Sequence, residues 1–315
     1  MAVTDGTVGS KPQLFGVELR WAKISLAIGI ALLIIKLVAY FLTGSQAIFS
    51  DALENTANVV TAAFAVYAIR LSYRPADADH PYGHGKIEFV SAGLEGATIV
   101  LAGLLIVGKV SSSFIGGQTP HIQKLDTGLT LISFALLVNG VLGVALWYRG
   151  KTNKAIVLEA AGIHLMTDAF DSVAVLIAIA LVKLTGWQWI DPAAALAVAV
   201  YIAFLGLRLL KRSAAGLMDE QDPADRQFLS KILDAHVGPS GAEPRICSYH
   251  KLRFRHTGRD HWVDFHIMVP RHLSIEKGHE IASAIEHEIE VALEQANATA
   301  HVEPCEDPKC LNCRK

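Results

Sequence analysis

Charge is what this sequence has least of. Only 18% of its 315 residues are Asp, Glu, Lys or Arg, where a soluble globular domain carries about 25%. Hydrophobic residues reach 52%, and the mean hydropathy is +0.36. That balance excludes a disordered chain and a collagen-like one. Cysteine is absent before position 247, and the 4 present are too few for a secreted disulfide scaffold. Neither sign of charge dominates. The net charge of −2 gives no case for nucleic-acid binding. The polar N-terminus, Met1 to Gly16, lacks the apolar core of a cleaved signal peptide. No HExxH string of a zinc hydrolase occurs, since His287-Glu288 has no second histidine after it.

The shortage of charge is uneven and breaks near Ala215. Residues 218–315 hold 12 Lys and Arg, 17 Asp and Glu, 9 of the 13 His and all 4 Cys. The preceding part is oily. Six of its stretches reach the roughly 20 apolar residues that a membrane-spanning helix needs: 21–42, 47–71, 87–110, 125–148, 155–184 and 189–210. Lipid offers backbone groups no partners, so these are expected to be helices. An even number of spans puts both termini on one side. Twelve basic residues flank the spans on that side, among them Lys23, Arg70, Lys86, Arg149 and Arg212. The other side has only Lys109, Lys124 and Lys183. The positive-inside rule then places both termini in the cytoplasm.

Ionisable residues inside a span are costly, so each is a functional candidate. The second span carries Asp51, Glu54 and Asn58, and the fifth carries His164, Asp168 and Asp171. Both sets share one helical face by their spacing. Counting depth from the span ends, Glu54 is expected to face Asp168, and Asn58 to face His164. One imidazole, two carboxylates and one amide oxygen suit a first-row divalent cation. The competing reading is a polar lock between helices with no ion. Asp51 and Asp171 are partners that orient or tune His164, steps on a proton path, or hydrogen-bonding groups to neighbouring helices. Lys36 and Glu95 read as structural or paired. In the loop after the second span, Asp77, His80 and His84 form a compact N/N/O set.

The polar tail reads α-β-β-α-β. Asp222-Pro223 opens a helix to about Val237. Strands at 248–256 and 261–269 alternate apolar and polar residues around Thr257-Gly258-Arg259-Asp260, as a hairpin does. An amphipathic helix at 275–296 and a short strand at 299–303 follow. His250 and His266 fall on adjacent strands, and His301 and Glu303 share one strand face. Cys305, Cys310 and Cys313 make half of a zinc-ribbon pattern, and Cys247 stands alone.

Three strings carry a resemblance: Ser50-Asp51-Ala52-Leu53-Glu54, His80-Pro81-Tyr82-Gly83-His84-Gly85-Lys86-Ile87-Glu88, and His164-Leu165-Met166-Thr167-Asp168. With six spans and the α-β-β-α-β tail, the chain resembles the cation diffusion facilitator family of divalent-metal/proton antiporters. The resemblance implies a homodimer of six-helix protomers, each with a cytoplasmic ferredoxin-like domain. It implies a transport site at Glu54, Asn58, His164 and Asp168, a loop site at Asp77, His80 and His84, and tail sites at His250, His266, His279 and His301. Glu303 stands where a carboxylate ligand is expected. Zinc-type members usually have His or Asp at position 54 and Asp at 58, so Glu54 and Asn58 depart from that pattern.

The sequence therefore predicts an all-α six-helix transmembrane domain followed by an α+β ferredoxin-like domain. The segments are a cytoplasmic tail over 1–20, a transport domain over 21–217, a regulatory domain over 218–304 and a Cys-containing tail over 305–315. The expected function is proton-coupled efflux of a divalent metal across a bacterial inner membrane. Zinc is the default metal, and manganese, iron(II), cobalt, nickel and cadmium stay open. Metal acts as substrate and regulator, with no organic cofactor. The expected partners are a second copy of the chain, metal cations, protons and membrane lipid, with no nucleic acid. Imidazole as a residue type exchanges protons near neutral pH. Metal needs deprotonated ligands, so the two cargos compete. The alternatives are a membrane-bound metal sensor without transport, and an intramembrane metalloenzyme.

Overall fold

In the computed structural model the described residues are 11–43, 46–116, 125–187, 190–238, 240–293, 295–307 and 310. The side chains of Asp51, Glu54 and Asp171, and all of Cys313, lie outside the described ones. Long helices come first: α1 (Lys11–Thr43), α2 (Gln46–Ser72), α3 (Ile87–Gly116), α4 (Leu125–Thr152), α5 (Ile156–Thr185) and α6 (Ile190–Leu217). They run 27 to 33 residues, or ~40–50 Å at ~1.5 Å per residue. Every apolar run expected from the sequence lies almost wholly within one of them. Polar ends make the helices longer than the runs. α1 starts at Lys11 and α6 continues to Leu217, because hydropathy reports apolarity and not helicity.

Many large apolar side chains point outward here, and alanines fill much of the interior beside a few large ones such as Ile69, Ile99 and Leu146. Ile34, Leu105, Val141 and Val200 are each more than half exposed, while Ala65, Ala68, Ala92, Ala160 and Ala199 are buried. A water-soluble bundle does the reverse. Among the described residues, Leu14–Val38 and Ile87–Ser112 are long and apolar enough to cross a bilayer. The main seams pair α3 with α6, α4 with α5 and α1 with α2. Two glycines permit the first two of these. A Cβ at Gly162 would lie 2.3 Å from the Trp147 backbone nitrogen, and one at Gly206 would lie 2.9 Å from the Gly96 carbonyl oxygen. Small residues let helix backbones approach this closely.

The tail forms α7 (Pro223–Ala235), β1 (Ser248–Thr257), β2 (Asp260–Val269), α8 (Ile275–Leu293) and β3 (Ala296–Pro304). This is the expected order, with β3 starting earlier than alternation alone indicated. Asp222 caps α7 by accepting from the Ala224 N–H, and Pro223 follows in the first turn. The sheet order is β1-β2-β3. β1 and β2 are antiparallel with a register shift between His250 and Arg253. β2 and β3 are parallel, which requires a crossover, and α8 supplies it. Leu229, Leu233, Phe265, Ile267, Ile285 and Ile289 are fully buried between the sheet and its helices.

The β1–β2 turn meets the base of the helices. Arg259 donates to Glu18 of α1 and to Tyr73, and it lies 3.5 Å from Glu88 of α3. Lys86 pairs with Asp219 at 2.9 Å. The Tyr82 ring meets Trp262 edge-on at 4.9 Å, and the Arg255 guanidinium sits 4.1 Å above Tyr82.

Candidate metal centres

The first centre lies among the long helices. Asn58 of α2 donates its Nδ2–H to Asp168 Oδ2 of α5 at 3.1 Å. One turn earlier on α5, His164 Nε2 stands 3.9 Å from the same carboxylate. Its Nδ1 faces Glu95 of α3 at 3.3 Å. His164 and Glu95 are buried, and a cavity of ≈ 30 Å³ opens beside them, lined also by Asn55, Asn58, Thr61 and Asp168. That is room for about one water molecule or an ion. Both His164 ring nitrogens and Glu95 Oε2 are buried without a hydrogen bond of good geometry. Each such atom costs about 1–3 kcal/mol if nothing fills its need. A cation between Nε2 and Asp168 would meet it. Glu95 on Nδ1 would fix the ring, as carboxylates do behind metal-bound imidazoles.

One expectation changes here and another becomes specific. Asn58 meets Asp168 and not His164. Depth counted from span ends carries an error of about one turn, ~5.4 Å, and that moves the pairing along the helix. Glu95, read as structural or paired, faces the imidazole itself at 3.3 Å. The signal was present as a lone carboxylate inside an apolar run. The expected contact between Glu54 and Asp168 lies outside the described side chains, as do Asp51 and Asp171.

The second centre is the loop after α2. Asp77 Oδ1 accepts from the His80 backbone N–H at 2.7 Å and lies 3.2 Å from the His80 ring. Its Oδ2 lies 3.3 Å from His84 Nε2. The backbone N–H of His80 is the main reason that the Asp77 carboxyl is held below its usual range. The three ligand atoms lie within 4.8 Å of one another.

The third centre is a row across the sheet. Register sets His250 opposite His266 and His266 opposite His301. Glu303 Oε1 lies 2.7 Å from His266 Nδ1, and Oε2 lies 3.3 Å from His250 Nε2. The His266 hydrogen bond is the largest cause holding the Glu303 carboxyl low. His301 is looser, at 3.8 Å from Glu303. His279 is exposed on α8 and has no contact with this row among the described residues of one protomer.

The cysteines correct one reading. Cys247 does not stand alone. It lies within 4.8 Å of Cys305 and Cys310, which are free thiols. The turn after β3 brings Cys305 and Cys310 back to the start of β1, a return that linear spacing cannot show.

Residues 22–218 match the cation efflux transmembrane domain, and residues 240–305 match the cation efflux protein cytoplasmic domain. The chain is 37% identical over 290 residues to an uncharacterized transporter of Synechocystis sp., covering 92% of this chain and 91% of that one. It is 29% identical to the cation-efflux pump FieF of Shewanella oneidensis, over 90% of this chain and 94% of the pump. It is 30% identical to the magnetosome protein MamM of Magnetospirillum gryphiswaldense, over 84% and 80% of the two chains. With one domain matched on the helices that carry His164 and Asp168 and the other on the sheet that carries the histidine row, the chain belongs to the cation diffusion facilitator family, a family of cation-efflux transporters and not of enzymes.

Proposed function

We propose that this chain exports divalent transition-metal ions in exchange for protons, as a homodimer in a bacterial inner membrane. In this reading α1–α6 all span the bilayer and both termini are cytoplasmic. Residues 21–217 form the transport domain, 218–304 a ferredoxin-like regulatory domain and 305–315 a Cys-containing tail. The outward-facing Ile34, Leu105, Val141 and Val200 support a lipid surroundings for the helices. The carrying observation is the buried His164 imidazole, set between Asp168 and Glu95 with both ring nitrogens unsatisfied.

The ion is the substrate. His164 Nε2 and Asp168 would hold it, with Glu54 and Asn58 from α2 completing an oxygen-rich set. Asn58 offers an amide oxygen where a second carboxylate would add charge, so the set is harder than one with two imidazoles. Zinc is the leading cargo, with manganese, iron(II), cobalt, nickel and cadmium as competitors. Ligands must lose protons to take metal, which couples loading on one side to release by protons on the other. The loop cluster at Asp77 and the sheet row at Glu303 are read as regulatory sites. His301 and His279 are read as further tail ligands.

The test is metal flux into vesicles holding the purified chain, across a panel of metals in competition. Asp168→Ala is expected to abolish flux while the dimer stays intact by size-exclusion chromatography. Near-normal flux through that variant sinks the assignment.

A further inference from the structure

One cluster lies outside all three centres. Asp225 stands in the first turn of α7, His256 near the end of β1 and His261 near the start of β2. Thr257 to Asp260 link the two histidines, and β-sheet register places them opposite each other. Asp225 Oδ2 lies 3.0 Å from His256 Nε2. The His256 and His261 rings are 4.3 Å apart, edge against face. One ligand atom from each residue lies within 4.8 Å of the other two. His261 is buried, and among the described residues none hydrogen-bonds its ring.

We propose that Asp225, His256 and His261 form a further divalent-cation site, of the two-imidazole, one-carboxylate type. Zinc bound to such ligands at ~2.0–2.2 Å sets them ~3.3–3.6 Å apart. Asp225 and His256 already stand at that spacing, and all three ligand atoms lie within 4.8 Å of one another, so the site needs an adjustment of about an ångström at most. Two of the three residues come from the ends of a hairpin, whose geometry is fixed by the strand register. The third comes from a helix start that Asp222 caps. Three separate elements thus present ligands to one point.

Chemistry favours a cation over a plain ion pair. An ion pair between His256 and Asp225 gives His261 nothing to do, yet His261 occupies a buried position beside them. A neutral imidazole at that buried position offers a ring-nitrogen lone pair toward Asp225 and His256. The charged neighbours are Asp260, which favours a cation, and Lys154, which opposes it. Asp225 supplies the anionic ligand itself.

Position gives the site its consequence. Two residues past His256, the turn begins that carries Arg259 onto Glu18 and Tyr73. A metal here joins α7 to the base of that turn. It would stiffen the part of the sheet that touches the long helices, where the row at Glu303 lies toward the other end of β2. The site stands apart from the transport reading, because a cation can bind here whether or not the helices move one.

The test counts zinc bound to the full chain in detergent by calorimetry and elemental analysis. Asp225→Asn and His256→Asn are each expected to lose one zinc per protomer relative to the parent, with circular dichroism unchanged. Equal zinc content and equal affinity in both variants would overturn the site. A second measurement on the parent covers the case in which the variants misfold. Zinc is expected to slow modification of His256 by diethyl pyrocarbonate, read by mass spectrometry. An unprotected His256 at zinc levels that fill the other sites also refutes the proposal. Flux is not a readout in either arm, so failure of the transport reading leaves this one standing.

Discussion

His261 illustrates how one buried side chain ties stability to pH. Desolvation, and next the neighbouring His256, lower its pKa from 6.5 to about 4. In the unfolded chain it takes up a proton near the ordinary imidazole value. Between those values the unfolded state binds more protons than the folded one, so stability falls as pH falls. The contribution is fully present above about 6.5 and is lost on the way down to about 4. His261→Gln is therefore expected to flatten the decline of the melting temperature over that window, measured with a chelator present so that metal plays no part. A parent and variant with parallel curves would contradict the assignment. The residue itself was visible in the sequence, but its burial was not. The same holds for Glu95. A carboxylate in an apolar run was legible, while its partner on another helix depended on packing. Asn58 was expected to face His164, yet it meets Asp168, one turn along α5. Residue types and faces survive a one-dimensional reading, and pairings across elements do not.

At the scale of elements the helices were legible because apolar runs of about 20 residues have few other uses. The hairpin was legible because its alternation and its Thr257-Gly258 turn agree. Less legible were the seams. Gly162 reads as a weak point in a helix by propensity. In the structure it is where α5 touches α4, with the Trp147 nitrogen 2.3 Å from where a Cβ would stand and the Gly143 carbonyl oxygen at 2.8 Å. Backbone cannot rotate away as a flexible side chain can, so even alanine there must push the helices apart. Gly108 is the control, because a Cβ there meets nothing within 4 Å. Gly162→Ala is expected to destabilise the chain by about 1–3 kcal/mol, the usual cost of overpacking. Gly108→Ala should be neutral or slightly stabilising through better helix propensity. Thermal unfolding in one detergent compares them directly. Equal melting temperatures for the two variants would remove the α4–α5 seam from the account.

For the whole molecule the question is how the α+β region is joined to the helices. Composition placed a break near Ala215, and the two matched domains end and begin at 218 and 240. Composition could not show that the joint is charged. Arg259 reaches from the hairpin turn to Glu18, which is fully buried, and toward Glu88, which is nearly so. Gly85 packs against the Thr257 carbonyl so closely that a Cβ would overlap it. Lys86 and Arg255 both point at Asp219. Removing Arg259 leaves two buried carboxylates facing no cation from the turn. Breaking a buried pair in this way costs about 3–5 kcal/mol, against a typical whole-domain stability of only about 5–15 kcal/mol. The cost falls on the joint, since the core of the sheet around Phe265 and Ile285 does not involve Arg259. Arg259→Gln is therefore expected to separate one thermal transition into two, with the α+β region still able to bind zinc at the Glu303 row. Limited proteolysis between residues 218 and 222 should speed up in the same variant, because undocking exposes that connection. Metal flux should fall with it if loop and sheet sites act on the helices through this contact. A single transition at the parent temperature, with unchanged cleavage, would mean that Lys86, Asp219 and the Tyr82–Trp262 contact hold the joint without Arg259.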